Sequence, residues 1–85
     1  GLVGFGEVGQ RVARVCLALG MTVAAFDPNI GAQSPLAEVA MASDLDSLIA
    51  GSDVLSLHVP LNGETRGMID ARRLAMLPPD GLLIN

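Results

Sequence analysis

Short apolar runs alternate along the chain with longer segments in which apolar residues recur every three or four positions. The apolar runs cover residues 1–3, 21–26, 54–59 and 82–84, and each has the length of a buried strand. Periodic segments between them predict helices over residues 8–19, 43–51 and 70–77. Helices that separate short apolar strands favour right-handed crossovers, so we predict an α/β fold with a three-layer, doubly wound parallel sheet.

The first helix has the clearest pattern. Its apolar positions follow a spacing that fits one helical face, which we predict to be buried: Val8, Val12, Val15, Cys16 and Leu19. Arg11 and Arg14 fall on the other face. Gly20 stands where a glycine commonly ends a helix.

The segment from residue 29 to residue 42 is harder to interpret, and its apolar part suits a short helix or a strand equally well. The next helix should begin at a cap formed by Ser43 or Asp44 and end at Gly51. Its inward positions are Leu45, Leu48 and Ile49.

A third helix is predicted to start at Asp70, with Leu74 and Leu77 on its inner face. Two prolines stop it after residue 77. Arg72 and Arg73 of this helix are interpreted as solvated surface charges or contacts to another subunit.

Three glycines between the first strand and the first helix form the pattern G-x-G-x-x-G, and each has its own physical task. Gly4 allows a tight turn, Gly6 lets the backbone approach a pyrophosphate closely, and Gly9 lets the helix pack on the sheet. The free N–H groups and the positive end of the helix dipole would then hold the phosphates. We therefore predict a Rossmann-type dinucleotide-binding domain, although three glycines also occur in ordinary loops.

The acid that this motif requires is present at the end of the second strand. Asp27 follows Gly9 by 18 residues, close to the spacing of about 20 at which a carboxylate reaches the ribose 2′-hydroxyl. A carboxylate there repels a 2′-phosphate, and residues 28–30 include no Arg to receive one. NAD is therefore predicted in preference to NADP.

Charge and composition exclude other kinds of partner. The net charge is −4 and the chain has no Lys, which argues against nucleic acid. No apolar run is long enough to span a bilayer. The single cysteine, Cys16, is interpreted as a packed structural thiol in a reducing compartment, and we predict a cytoplasmic protein.

The length predicts an incomplete domain. Eighty-five residues are few for a two-domain oxidoreductase, and both ends fall within or beside apolar runs. We therefore interpret residues 1–85 as part of a dinucleotide-binding domain whose substrate and catalytic domain lies outside this chain. Its apolar core should be partly uncovered.

Four segments together resemble the NAD-binding domain of the D-isomer-specific 2-hydroxyacid dehydrogenases. These are residues 1–9 with Asp27 and Pro28, residues 53–61, residues 64–69 and residues 82–85. The resemblance covers nearly the whole chain, and the stretch from Ser52 to Ile69 is more specific than the glycine motif.

The resemblance implies a binding site for NAD. Besides Gly4, Gly6, Gly9 and Asp27, it implies that the backbone amides of Glu7 and Val8 lie against the pyrophosphate. Val59 and Pro60 would line the adenine side, and Thr65 would lie close to the cofactor. The catalytic Arg, Glu and His of the family fall beyond this chain, so no catalytic residue and no metal ligand is predicted within it.

Glu7 departs from the family's pattern, and His58 invites a wrong assignment. Where relatives often have Arg, this chain has Glu7, whose carboxylate either repels the phosphates or points to solvent; an acid in the first helical turn favours the second reading. His58, the only histidine, invites assignment as the catalytic acid. Because the family's acid is a different His, a structural or supporting role is favoured for His58.

The resemblance implies hydride transfer between NAD(H) and a D-2-hydroxy acid or its 2-oxo partner, in a full-length protein that forms a homodimer. The alternative is an NAD(H)-sensing scaffold of the corepressor type with the same fold. A nucleotide-binding methyltransferase would use a similar glycine loop, but the stretch from residue 52 to residue 69 argues against it.

Overall fold

The computed structural model describes residues 1–30, 33–59 and 67–85. The elements in these ranges are β1 (Leu2–Val3), α1 (Glu7–Ala18), β2 (Ala24–Phe26), β3 (Ala40–Met41), α2 (Leu45–Ala50), β4 (Val54–Leu57), α3 (Ala71–Leu74) and β5 (Leu82–Ile84). The strands form one sheet in the order β3-β2-β1-β4-β5, with every neighbouring pair parallel. This arrangement confirms the predicted doubly wound parallel sheet.

Two apolar clusters cover the two faces of the sheet. Leu2 of β1 belongs to the cluster beneath α1, and its neighbour Val3 belongs to the cluster beneath α2, because successive strand residues point to opposite faces. Phe5 and Ile49 are the large side chains at the centres of the two clusters, each with 0% exposure. The result is the predicted three layers, with the sheet between helices.

The buried face of α1 agrees with the prediction only in part, since Val12 and Cys16 pack on the cluster beneath α1 as predicted. Val8, Val15 and Leu19 are 60%, 60% and 74% exposed, whereas Gly9 and Ala13 are the buried residues of the helix. The helix is turned by about one residue, or ~100°, from the orientation that the apolar stripe predicts. Small side chains face the sheet because they let the helix backbone approach β1 closely.

The end of α1 was predicted correctly. Gly20 has φ +84°, its N–H donates to the carbonyl of Leu17 at 3.0 Å, and the N–H of Met21 donates to Cys16 at 3.0 Å. These two bonds form a Schellman motif, in which a left-handed glycine closes the last helical turn. β2 then begins only at Ala24, later than the apolar run indicates.

The ambiguous segment after residue 28 contains a strand. β3 pairs with β2 through Ala24 opposite Ala40, and the N–H of Ala42 donates to the Ala25 carbonyl at 2.7 Å. Val39, just before β3, is 2% exposed and belongs to the cluster under α1. A two-residue edge strand is too short to produce a recognisable period, which is why the sequence left the choice open.

Asp44, rather than Ser43, caps α2. Its Oδ1 accepts from the Ser47 N–H at 2.7 Å, and this hydrogen bond holds the pKa of Asp44 below its usual value. The helix ends at Gly51 as predicted, and its three predicted inward residues are buried: Leu45, Leu48 and Ile49.

The third helix is shorter than predicted and its charges are not free. Asp70 caps it by accepting from the Arg73 N–H at 2.9 Å, but Leu74 is 45% exposed, while Leu77 packs on the second cluster as expected. Arg72 and Arg73 form ion pairs with Asp46 of α2 at 3.2 and 2.9 Å. Arg72, with 62% of its side chain exposed, is thus a surface charge as predicted, whereas Arg73, at 27%, is partly buried against Asp46.

Candidate functional site

The predicted site residues gather where the carboxyl ends of β1, β2 and β4 meet. β1 lies between β2 and β4, and the chain leaves β1 towards β2 but places β4 on the other side. Ligands of open α/β sheets bind in the crevice outside such a reversal point. Gly4 follows β1, Asp27 follows β2 and Val59 lies two residues after β4, so the tertiary structure brings all three to one edge.

Two of the three motif glycines are required by packing within the protein. Gly4 has φ +92°, and a Cβ built on it would lie 2.5 Å from the His58 carbonyl oxygen and 2.8 Å from Cγ1 of Val59. A Cβ on Gly9 would lie 2.5 Å from the Gly4 carbonyl oxygen. The backbones of α1, β1 and the end of β4 are therefore in close contact, which no larger residue would permit.

Gly6 has no such reason to be glycine. Its φ of −78° suits any residue, and in the part of the chain that the structure describes, a Cβ built on it would meet nothing within 4 Å beyond its chain neighbours. It lies at the N-cap of α1, where no side chain caps the helix. The next two residues, Glu7 and Val8, therefore present the unpaired first N–H groups of a twelve-residue helix beside an open space, an arrangement that suits an anion.

The Glu7 carboxylate points away from this opening into solvent. Its side chain is 79% exposed, and Oε1 accepts from Nη2 of Arg11 at 2.7 Å, one helical turn further along. The pair partly neutralises the acid that replaces the family's Arg. The geometry thus agrees with the reading in which the Glu7 side chain faces solvent.

Asp27 holds the glycine loop through one carboxylate oxygen and its own turn through the other. Oδ2 accepts from the Phe5 N–H at 2.8 Å, and Oδ1 accepts from the Asn29 N–H at 2.9 Å. Each carboxylate oxygen has a second lone pair, so Asp27 retains the capacity to accept from ribose hydroxyls. The bond to Asn29 is an Asx turn, which the residues Asp27-Pro28-Asn29 signal; the bond to Phe5 has no local signal.

His58 is fixed on the sheet just after β4. Its backbone N–H donates to the Val3 carbonyl at 2.7 Å. Its ring Nε2 shares a hydrogen bond of 2.8 Å with Oγ of Ser56, two residues earlier on the same side of the strand. These contacts give the imidazole a defined place in the protein, as a supporting role requires. Pro60 and Thr65 lie outside the described residues.

One further polar contact reaches the glycine loop and was not predicted. Nε2 of Gln10, in the second turn of α1, donates to the Phe5 carbonyl at 2.9 Å. A glutamine on the polar side of a helix gives no sequence signal for such a contact, because the acceptor belongs to a loop outside the helix.

A cavity of about 340 Å³ lies away from the predicted site, at the opposite edge of the sheet, where Thr22 and Asp53 precede β2 and β4. Among residues 1–30, 33–59 and 67–85, no group of three or more His, Cys, Asp or Glu could hold a metal ion, and no helix there has the length and apolar character to cross a bilayer.

Comparison with known proteins identifies relatives over the entire chain. The profile of the family described as D-isomer specific 2-hydroxyacid dehydrogenase, NAD binding domain, matches residues 1–85. (S)-Sulfolactate dehydrogenase of Chromohalobacter salexigens is 44% identical over 86 aligned positions, which cover 100% of this chain and 28% of that protein.

Two solved structures have the same fold. D-Lactate dehydrogenase from Aquifex aeolicus, complexed with NAD and lactic acid, matches 99% of this chain and 25% of its own, with a TM-score of 0.88 and 40% identity. An acyclic imino acid reductase in complex with NADPH and D-Arg matches 99% of this chain and 26% of its own, with a TM-score of 0.88 and 31% identity. The chain thus spans about a quarter of the length of these relatives.

Proposed function

We propose that this chain holds NAD(H) in an oxidoreductase, since it belongs to the D-isomer specific 2-hydroxyacid dehydrogenase family as its NAD-binding domain. The reaction is hydride transfer between the nicotinamide and a D-2-hydroxy acid or its 2-oxo partner. The cofactor supplies the hydride chemistry when bound, and the residues of this chain bind and orient it.

The observation that carries the proposal is the open space at Gly6. Packing explains Gly4 and Gly9, but apart from the chain neighbours of Gly6, no atom of residues 1–30, 33–59 and 67–85 lies within 4 Å of the position that a Gly6 Cβ would take. A pyrophosphate at the start of α1 accounts for the missing side chain, because it would come into contact with the backbone there. Glu7 and Val8 would then donate their backbone N–H groups to the phosphate oxygens.

Asp27 is assigned to the adenosine ribose, with Val59 and Pro60 on the adenine side and Thr65 nearby. The two amides that bond to the Asp27 carboxylate orient it before a ligand arrives. Its negative charge disfavours a 2′-phosphate, and the following residues, 28–30, supply no cation. NAD is therefore the proposed cofactor in preference to NADP.

The acid–base chemistry is proposed to come from a substrate and catalytic domain outside these 85 residues. His58 is not assigned to proton transfer, because its ring already shares a hydrogen bond with Ser56 and its backbone N–H donates to the Val3 carbonyl. The apolar residues Leu82 and Ile84 of the edge strand β5 are 55% and 47% exposed, as expected for a partial domain.

The full-length protein is further proposed to be a cytoplasmic homodimer. The exposed apolar stripe of α1, formed by Val8, Val15 and Leu19, would suit burial against a second subunit. The free thiol of Cys16 agrees with a reducing compartment. No observation on the described residues favours the corepressor-type scaffold over the enzyme.

The test is a titration of NADH and of NADPH into the full-length gene product that carries this sequence. The fluorescence of the coenzyme reports binding. We expect NADH to bind at least about tenfold more tightly than NADPH, a difference of about 1.4 kcal/mol. Asp27→Ala should remove that preference. Asp53→Ala, which removes an exposed acid at the opposite edge of the sheet, is the matched control and should retain it. Absence of NADH binding by the wild-type protein would refute the proposal.

A further inference from the structure

Phe5, the residue between the first two motif glycines, is fixed through its side chain and both of its backbone polar groups. The ring is 0% exposed in the cluster beneath α1. The N–H donates to Oδ2 of Asp27 at 2.8 Å, and the carbonyl accepts from Nε2 of Gln10 at 2.9 Å. The residue is therefore held in place without a ligand.

The bond from Gln10 acts on the peptide unit that leads into Gly6. A peptide is planar and trans, so the direction of the Phe5 carbonyl also sets the direction of the Gly6 N–H. Glycine has unusually free backbone torsions, and this peptide would rotate easily without a restraint. The Gln10 side chain supplies the restraint, while the Gln10 backbone N–H donates to the Gly6 carbonyl at 2.9 Å.

We propose that Gln10 is a positioning residue for the phosphate-binding loop. Its side-chain amide holds the peptide between Phe5 and Gly6 in one orientation, so that the N–H groups at the start of α1 converge on the open space beside Gly6. The inference rests on the proposed function, because it assumes that a pyrophosphate occupies that space. Gln10 itself need not touch the ligand.

The proposal predicts a selective loss of affinity. Removing one hydrogen bond of ordinary strength should weaken binding of a pyrophosphate-containing ligand about three- to tenfold. Adenosine, which has the ribose and base but no phosphate, should be affected less than about twofold, because the Gln10 bond does not reach Asp27.

The experiment uses Gln10→Met, which keeps the length of the side chain but has no donor, in the full-length gene product. Gln10→Ala serves as a second variant that strongly favours helix. Arg14→Met is the matched control on an exposed position of the same helix. Dissociation constants are measured for NADH, ADP-ribose and adenosine, and circular dichroism confirms that each variant is folded.

We expect both Gln10 variants to bind NADH and ADP-ribose more weakly and adenosine as the wild type does. Arg14→Met should have wild-type dissociation constants for all three ligands. Equal weakening of all three ligands would overturn the positioning role, because it would indicate a general disturbance of the domain. Unchanged NADH affinity would overturn it as well. If the wild-type protein bound none of the three ligands, the proposed function itself would be wrong. A difference in affinity between the variants and the wild type cannot produce that result, so the two failures can be told apart.

Discussion

Replacing each of two motif glycines by alanine should separate a packing requirement from a ligand requirement. A Cβ on Gly9 would lie 2.5 Å from the Gly4 carbonyl oxygen, about 0.9 Å inside ordinary contact. Gly4 has little room to move, because a Cβ built on it would lie 2.5 Å from the His58 carbonyl oxygen and its N–H donates to the Phe26 carbonyl at 2.8 Å. Gly9→Ala should therefore destabilise the fold.

The size of the effect follows from two opposing contributions. Overpacking against a backbone that cannot move costs up to about 3 kcal/mol, and alanine regains about 1 kcal/mol over glycine inside a helix. The free energy of unfolding should thus fall by up to about 2 kcal/mol, which lowers Tm by up to about 8 °C for chains of about 150–250 residues. Differential scanning fluorimetry without ligand measures this shift.

Gly6→Ala should have the opposite effect, with little loss of stability and a large loss of NADH affinity. Its Cβ meets nothing within 4 Å, so the stability cost is limited to the poorer capping of alanine, about 0.5–1 kcal/mol. Its NADH affinity should fall at least about tenfold, since the methyl group would occupy the space assigned to the pyrophosphate. If Gly6→Ala lost as much stability as Gly9→Ala and still bound NADH normally, the assignment of that space would be wrong.

Two other predictions concern charged side chains. Glu7→Arg should change NADH affinity less than about tenfold by fluorescence titration, because the Glu7 carboxylate faces solvent and is paired with Arg11; a larger gain would show that it repels the phosphates. Hydrogen bonds from Arg73, and then Arg72, lower the pKa of Asp46, so their stabilisation is present above the unfolded-state value of about 3.9 and disappears as pH falls through the lower folded-state value. Asp46→Asn should therefore lower Tm near neutral pH, and this loss should shrink as the pH falls below about 3.9; a loss that stayed equal in acid would contradict this account.

We propose that stability and binding depend on different glycines of one motif. Gly4 and Gly9 bring α1 against β1 and β4, where contact between backbones excludes any side chain. Gly6 occupies the exposed end of the same helix. Asp27 joins the two tasks, since one carboxylate both restrains the loop and is assigned to the ribose.

Local chemistry was enough to predict much of this molecule. Apolar runs located β1, β4 and β5, the Asp44 and Asp70 caps located the starts of two helices, and Gly20 located the end of α1. These features depend on residues within a few positions of one another, and hydrogen bonds to nearby amides decide them. The glycine motif and Asp27 indicated the carboxyl edge of the sheet because each directly follows a predicted strand.

Only the tertiary structure decided how these elements meet. It turned α1 so that Gly9 and Ala13, rather than Val8 and Val15, face the sheet, because close approach of two backbones outweighs the burial of larger side chains there. It paired Arg73 with Asp46, 27 residues apart, and brought Asp27 and Gln10 to the two polar groups of Phe5. Contacts of this kind join residues whose separation in the chain carries no period, so the pattern of the sequence alone could not reveal them.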